Sequence, residues 1–228
     1  MSSGLVTPLT SDSTGVALTT TPTEAGPFGV SVLTSIYVGA ADAYAGYSPT
    51  GNGTVENQST WYHVDMMFPS ASYAPTTGQW NWLVEWHDDP HTAPDGPYSI
   101  ALGIYTALPG VTGQVGVDPQ LVLRLAGGSS ADPTYENVTM PGTVQYDHWY
   151  DMDLQIVWNT DPQAGQVEWI VDGRQIASQT FPTLFTNPDG TQSFNTFGLY
   201  NYHLNCSWQS TVDFDNVAIG PTQASVGG

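Results

Sequence analysis

The sequence predicts an all-β protein, a two-sheet antiparallel β-sandwich of jelly-roll type. Three observations carry that prediction. Apolar and polar residues alternate with period two in one segment after another, the pattern of a strand with one buried face. Gly, Pro, Asn and Asp cluster between those segments, where turns are needed. No stretch shows the three-to-four spacing of an amphipathic helix. At 228 residues, 40% hydrophobic and 12% aromatic, the chain is long enough for one domain with a substantial core.

The elements follow in order. Residues 1–27, rich in Ser, Thr, Gly and Pro, read as an extended arm with one edge strand near 14–20; 28–220 read as the sandwich and 221–228 as a tail. In WYHVDMMF (61–68), Tyr62, Val64, Met66 and Phe68 share one face, and His63 and Asp65 the other. In WNWLVEWH (80–87), strict alternation sends Trp80, Trp82, Val84 and Trp86 inward and Asn81, Leu83, Glu85 and His87 outward. The indoles are therefore expected in the core and not as open sugar platforms. YSIALGIYT (98–106) groups Ile100, Leu102 and Ile104, while LVLRL (121–125) buries its leucines and turns Arg124 out. YDMDLQIVW (150–158) sets Met152, Leu154, Ile156 and Trp158 against Asp151, Asp153 and Gln155. QVEWIVDGRQIAS (166–178) is a hairpin signal around Asp172-Gly173. In TFGLYNYH (196–203), Thr196, Gly198, Tyr200 and Tyr202 fall on one face, and Gly198 leaves room for a ligand against the backbone. TVDFDNVAIG ends the series.

The charge balance excludes several partners. Arg124 and Arg174 stand alone against 21 acidic residues, a net charge of −19. Nucleic acid and anionic membranes are repelled by such a surface. No run reaches the roughly 20 apolar residues of a membrane helix, so no membrane insertion is expected. The first residues lack the basic and apolar regions of a secretory signal. The single cysteine allows neither an internal disulfide nor a cysteine-based zinc site.

The series QWNWLVEWHDDP, QLVLRLAGG, HWYDMDLQIVWNTDPQAGQVEWIVDGRQI, FNTFGLYNY and VDFDNVAIG resembles the jelly-roll polysaccharide lyases related to heparin lyase I and glucuronan lyase, over roughly residues 60–220. The resemblance implies a concanavalin A-like jelly roll, a polysaccharide or cell-surface glycan as partner, and β-elimination as the reaction. It makes His87, of the EWH strand, the base or its partner. Tyr200, of GLY, becomes the proton donor to the leaving oxygen, and Glu85, the third expected catalytic residue, stands where the relatives tend to have Gln. Arg124, Tyr202, His63 and Asn81 are the expected substrate-binding residues. The chemistry explains the cast: removing the C5 proton of a uronate needs a base, an acid at the glycosidic oxygen and a neutraliser for the carboxylate.

The chain departs from the family pattern at charged positions. Thr196 stands two residues before Gly198, where the relatives carry a basic residue, and YVGAADAYAGY (37–47) has no arginine. Arg124 is the remaining candidate neutraliser. A second reading therefore stands beside the enzyme: a lectin-like module, or a structural protein of a virion or other assembly, built on the same sandwich. The Thr/Ser/Gly arm favours it, since such segments order against neighbours. Both readings place the protein outside the cell or on a virion surface. A glycosidase pairing Glu85 with Asp65 or Glu168 would need two carboxylates across one bond. Calcium has two candidate positions, HDDPH (87–91) and Asp213 with Asp215, the plainer reading of each being a solvated acidic turn or face. No other cofactor is expected.

Overall fold

The computed structural model describes residues 16–20, 56–71, 80–89, 98–105, 119–190, 192, 194–203 and 210–226. For 16–20, 80, 87–89, 98–99, 194–196, 200–203 and 210–211 it describes the backbone alone. Within these residues the strands are β1 (Val16–Thr20), β2 (Ser59–Met67), β3 (Trp80–Asp89), β4 (Tyr98–Tyr105), β5 (Gln120–Ser129) and β6 (Asp132–Thr139). They continue with β7 (Trp149–Val157), β8 (Gln166–Val171), β9 (Arg174–Thr180), β10 (Phe185–Thr186), β11 (Phe194–His203) and β12 (Ser210–Gly220). A single 3-10 turn, Gln223–Ser225, follows. No helix among the described residues is long and apolar enough to cross a membrane.

The strands form two sheets, the first ordered β1-β12-β2-β7-β8-β9 and the second β10-β5-β4-β3-β11, with β6 paired to β5. All pairings are antiparallel except the short β10–β5 contact. The predicted edge strand is present as β1, paired to β12 from Val16↔Phe214 to Thr20↔Ser210, so part of the expected arm is built into the first sheet.

Period-two alternation explains the core. Tyr62, Val64, Met66 and Phe68 meet Met152, Leu154, Ile156 and Trp158 on the inner side of the first sheet. Ile100, Leu102, Ile104 and the leucines at 121, 123 and 125 face them from the second. An aromatic knot ties the layers: Tyr62 lies edge-on to Trp86 at 5.0 Å and stacks on Phe197 at 5.3 Å. Each such pair adds about 0.5–1.5 kcal/mol beyond its burial. The β8–β9 hairpin turns at Asp172 and Gly173, with φ of 52° and 71°. Two successive left-handed residues make the type I′ turn that Asp-Gly favours.

One strand breaks the expected alternation. Along β3, Trp82 pairs with Gly103 but Val84 with Leu102, so two steps on β3 match one on β4. The extra residue is a β-bulge at Leu83. Leu83, Val84 and Trp86 all enter the inter-sheet core, whereas Trp82 joins Ala101, Tyr105 and Val122 in a separate buried cluster on the other side of the sheet. The expectation that Trp82 and Trp86 share a face is thus corrected, because a one-residue slip reverses every side chain beyond it. Gly103 makes the arrangement possible: a Cβ there would sit 2.7 Å from the Trp82 ring and 2.5 Å from the Asn81 carbonyl oxygen.

Candidate functional site

The outer face of the second sheet is assembled from β11, β3, β4 and β5. Register places Gly198 opposite Glu85, Glu85 opposite Ala101, and Ala101 opposite Arg124. One row thus runs glycine, acid, alanine, guanidinium. With strands about 4.8 Å apart, the Glu85 and Arg124 backbones are roughly 10 Å apart, and only the Ala101 methyl lies between. The next row pairs Thr196 with His87. A second bulge, between Leu199 and Tyr202, puts Tyr200 beside the Glu85 row and aligns Tyr202 with Trp82. The two expected proton-transfer residues therefore lie on paired strands, but His87 stands opposite Thr196 and Tyr200 is four residues, roughly 13 Å, further along β11. The Tyr62–Trp86–Phe197 knot lies on the core side at the His87 end. The side chains of His87, Tyr200 and Tyr202 lie outside the described residues.

Glu85 is 2% exposed, although it points away from the inter-sheet core. Its neighbours on that face form an aromatic floor in which Trp82 lies edge-on to Tyr105 at 5.2 Å. The indole is itself buried, so it supports the face without offering an open stacking surface. The Arg124 guanidinium carbon lies 5.1 Å from the centroid of Tyr135, which stands on the neighbouring β6. A cation over a ring face is attracted by its quadrupole, and here it draws the guanidinium toward the β6 edge, away from β3. Tyr135 was missed by the sequence reading; its position over Arg124 follows from β5–β6 register, which pairs Tyr135 with Ala126.

Two expected substrate-binding residues are elsewhere. Asn81 pairs with core-facing Ile104, so the Leu83 bulge turns it to the inner side, away from Glu85. His63 belongs to β2 and occupies the outer face of the first sheet, with the whole core between it and Glu85. Alternation read its outward direction correctly, but the two outward faces belong to opposite layers. The same separation removes the two-carboxylate pairing, because Asp65 and Glu168 both lie in the first sheet.

On that first sheet His63 is ringed by acids. Its Nδ1 is 2.9 Å from Asp153 Oδ1 and 3.7 Å from Asp151 Oδ1, and its Nε2 is 3.5 Å from Asp65 Oδ1. Partial desolvation pushes the Asp151 carboxyl above its ordinary value; His63 opposes this, and Asp65, Asp153 and Asp172 add to it. Asp151 and Asp153, expected as a solvated face, are thus one exposed and one buried member of a cluster. Of the expected calcium positions, Asp215 uses a carboxylate oxygen to accept from Asn216 N at 2.8 Å, and the side chains of HDDPH lie outside the described residues.

Comparison with known proteins identifies the scaffold. The polysaccharide lyase family model matches residues 38–218. No curated protein matches the sequence. Among solved structures, the endo-β-1,4-glucuronan lyase of the fungus Trichoderma reesei is similar over 93% of this chain and 83% of its own, with TM-score 0.67 and 17% identity. A mutant alginate lyase in complex with an alginate trisaccharide is similar over 92% of this chain and 82% of its own, with TM-score 0.50 and 10% identity. At these identities the likeness to the solved structures is one of fold. The family model spans most of the sequence and all the strands from β2 to β11, and on that ground the chain belongs to the polysaccharide lyase family.

Proposed function

We propose that this protein cleaves an acidic, uronate-containing polysaccharide by β-elimination on the outer face of its second sheet. The observation that carries the reading is the β3–β11 register, which sets Gly198 against Glu85 and Thr196 against His87. Gly198 has no side chain and so adds no bulk beside Glu85, in a row where Gly198, Glu85 and Ala101 are all buried. In the proposed reaction His87 removes the C5 proton. The C–H electrons form the C4–C5 double bond, the C4–O bond breaks, and Tyr200 delivers a proton to the departing glycosidic oxygen. The guanidinium of Arg124, held over Tyr135, binds the carboxylate of a neighbouring uronate. Tyr202 and the polar rim of β11 contribute hydrogen bonds. The structures similar in fold are of enzymes named for glucuronan and alginate, which supports a polyuronate as substrate.

A second reading has its own support: Thr196 is neutral opposite His87, and the acid Glu85 stands in the same row as Gly198. A polyuronate meets few cations there, which favours a sandwich that holds a glycan, or a neighbouring subunit of an assembly, without turnover.

Incubation with polyglucuronate and alginate, followed by ultraviolet absorbance of the unsaturated uronate product, separates the readings. The lyase reading expects the absorbance to rise with the wild-type chain. Removing one proton-transfer group, in His87→Ala or Tyr200→Phe, is expected to slow it by about 10²-fold or more. Glycan binding without the chromophore establishes the second reading and rejects the first.

A further inference from the structure

The outer face of the first sheet brings together one nitrogen and two oxygens from adjacent strands, all within 4.8 Å of one another: His63 Nδ1, Asp151 Oδ and Asp153 Oδ. Two amides from outside this group set its geometry. Gln223 Nε2 donates to Asp153 Oδ2 at 2.9 Å, and Asn216 Nδ2 donates to Asp65 Oδ2 at 2.6 Å. Each leaves the acid's other oxygen turned onto the imidazole, Asp153 toward Nδ1 and Asp65 toward Nε2. Carboxylates accept and do not donate, and a buried one needs a compensating positive charge. His63 and Asp153 are each 6% exposed, so water supplies little compensation. The chain has no lysine, and among the described residues the ion-pair partner of all three acids is the one imidazole of His63.

We propose that His63, Asp151 and Asp153 form a binding site for a divalent cation of the zinc class, with Asp65 orienting the imidazole from behind. Zinc bonds of about 2.0–2.2 Å at tetrahedral angles place ligand atoms about 3.3–3.5 Å apart. The separations of 2.9 Å to Asp153 and 3.7 Å to Asp151 bracket that range. Without an ion, Nδ1 is hydrogen-bonded to Asp153 Oδ1 at 2.9 Å. The cation would replace the proton between them and leave the Nε2 proton facing Asp65, 3.5 Å away, on the side where a carboxylate orients a metal-bound imidazole. An imidazole ligand selects a borderline cation over calcium, which takes oxygens. The Asp151 side chain is 63% exposed and gives the ion a way in, with space for water as a further ligand. The cation would clamp β2 to β7 through residues 90 positions apart in the chain. This site is separate from the proposed sugar face and does not depend on lyase activity.

The test uses the full chain, stripped with a chelator and titrated with Zn²⁺, Co²⁺ and Ca²⁺ by calorimetry, with thermal melting and the Co²⁺ visible spectrum as further readouts. One equivalent of Zn²⁺ or Co²⁺ is expected to bind and raise the melting temperature. Asp153→Asn, which keeps the side chain's shape, is expected to abolish this, and Asp65→Asn to weaken affinity by about 10–100-fold. His148→Gln is the control, since His148 pairs with Asp172 at 3.0 Å outside the ligand set. In the wild-type chain, Zn²⁺ must also shift the NMR signal of His63 Nδ1, a readout that needs no variant to fold. Failure to take up Zn²⁺ and Co²⁺, uptake unchanged in Asp153→Asn, a response to Ca²⁺ alone, or an insensitive His63 nitrogen each overturns the proposal.

Discussion

The two outer faces of the sandwich are built from the same alternating pattern and have opposite characters. The first sheet gathers an imidazole and three aspartates over β2 and β7 with no arginine among them. The second carries an acid and an arginine in one row, separated by an alanine and underlaid by aromatic rings. In a chain of charge −19, the difference teaches that the second sheet is distinguished less by charge than by what lies under its polar groups. Bulges and a glycine place indole and phenol rings beneath the polar groups of its outer face. The other face has only strand backbone between its acids and the core.

That contrast breaks most directly at Trp82. Trp82→Ala removes a ring that is 2% exposed, with an expected loss of about 3–5 kcal/mol in chemical denaturation. An unchanged denaturation midpoint would mean that the aromatic floor is not structural. Gly103→Val probes the same packing from the neighbouring strand. Its Cβ would meet the Trp82 ring at 2.7 Å, and overpacking of this kind costs about 1–3 kcal/mol. Glu85→Gln sharpens the comparison on the functional side. It exchanges a buried acid for a neutral amide and takes one negative charge out of the row beside the proposed substrate face. Turnover of polyglucuronate is expected to rise roughly tenfold, a change of about 1.4 kcal/mol; a fall would make the acid itself part of the chemistry.

The smallest expected effect lies away from both faces. The side-chain hydroxyl and backbone N–H of Ser70 hydrogen-bond to the Asp147 carboxylate and lower its pKa below the ordinary 3.8. A depressed acid stabilises the fold above its unfolded pKa and loses that contribution as pH falls through the folded value. Asp147→Asn tolerates the same positive φ of 58°. It should therefore flatten the acid limb of a melting-temperature profile below about pH 4 and leave neutral pH nearly unchanged. An identical acid limb would remove Asp147 from the account.

Most strand positions were legible because a strand against the core buries alternate residues, a need visible within a few neighbours. β6, with no buried residue, and the two-residue β10 carry no such pattern and were not read. The Tyr62–Phe68 set, the Met152–Trp158 set and the Asp172-Gly173 turn all follow from local pattern. The family likeness was legible for the same reason, since its most specific segments are scaffold strands. The candidate site was only half legible. Glu85 and Arg124 face outward as alternation requires, and only cross-strand pairing put Ala101 between them. Gly103 was the one sequence signal for the position of Trp82, because a glycine within a strand marks a bulky neighbour lying over it.

What local alternation left open was the side to which each outward residue belongs. A period of two separates in from out, but it does not say which layer a strand joins, and one extra residue at Leu83 reverses the answer for Asn81 and Trp82. His63 and Glu85 are both outward and stand on opposite faces of the molecule, while His63 and Asp153, 90 residues apart, come within hydrogen-bond distance. Side-chain direction is set by neighbours along the chain, and so can be read from sequence. Proximity across strands is set by pairing and register, which arise when the sheets close.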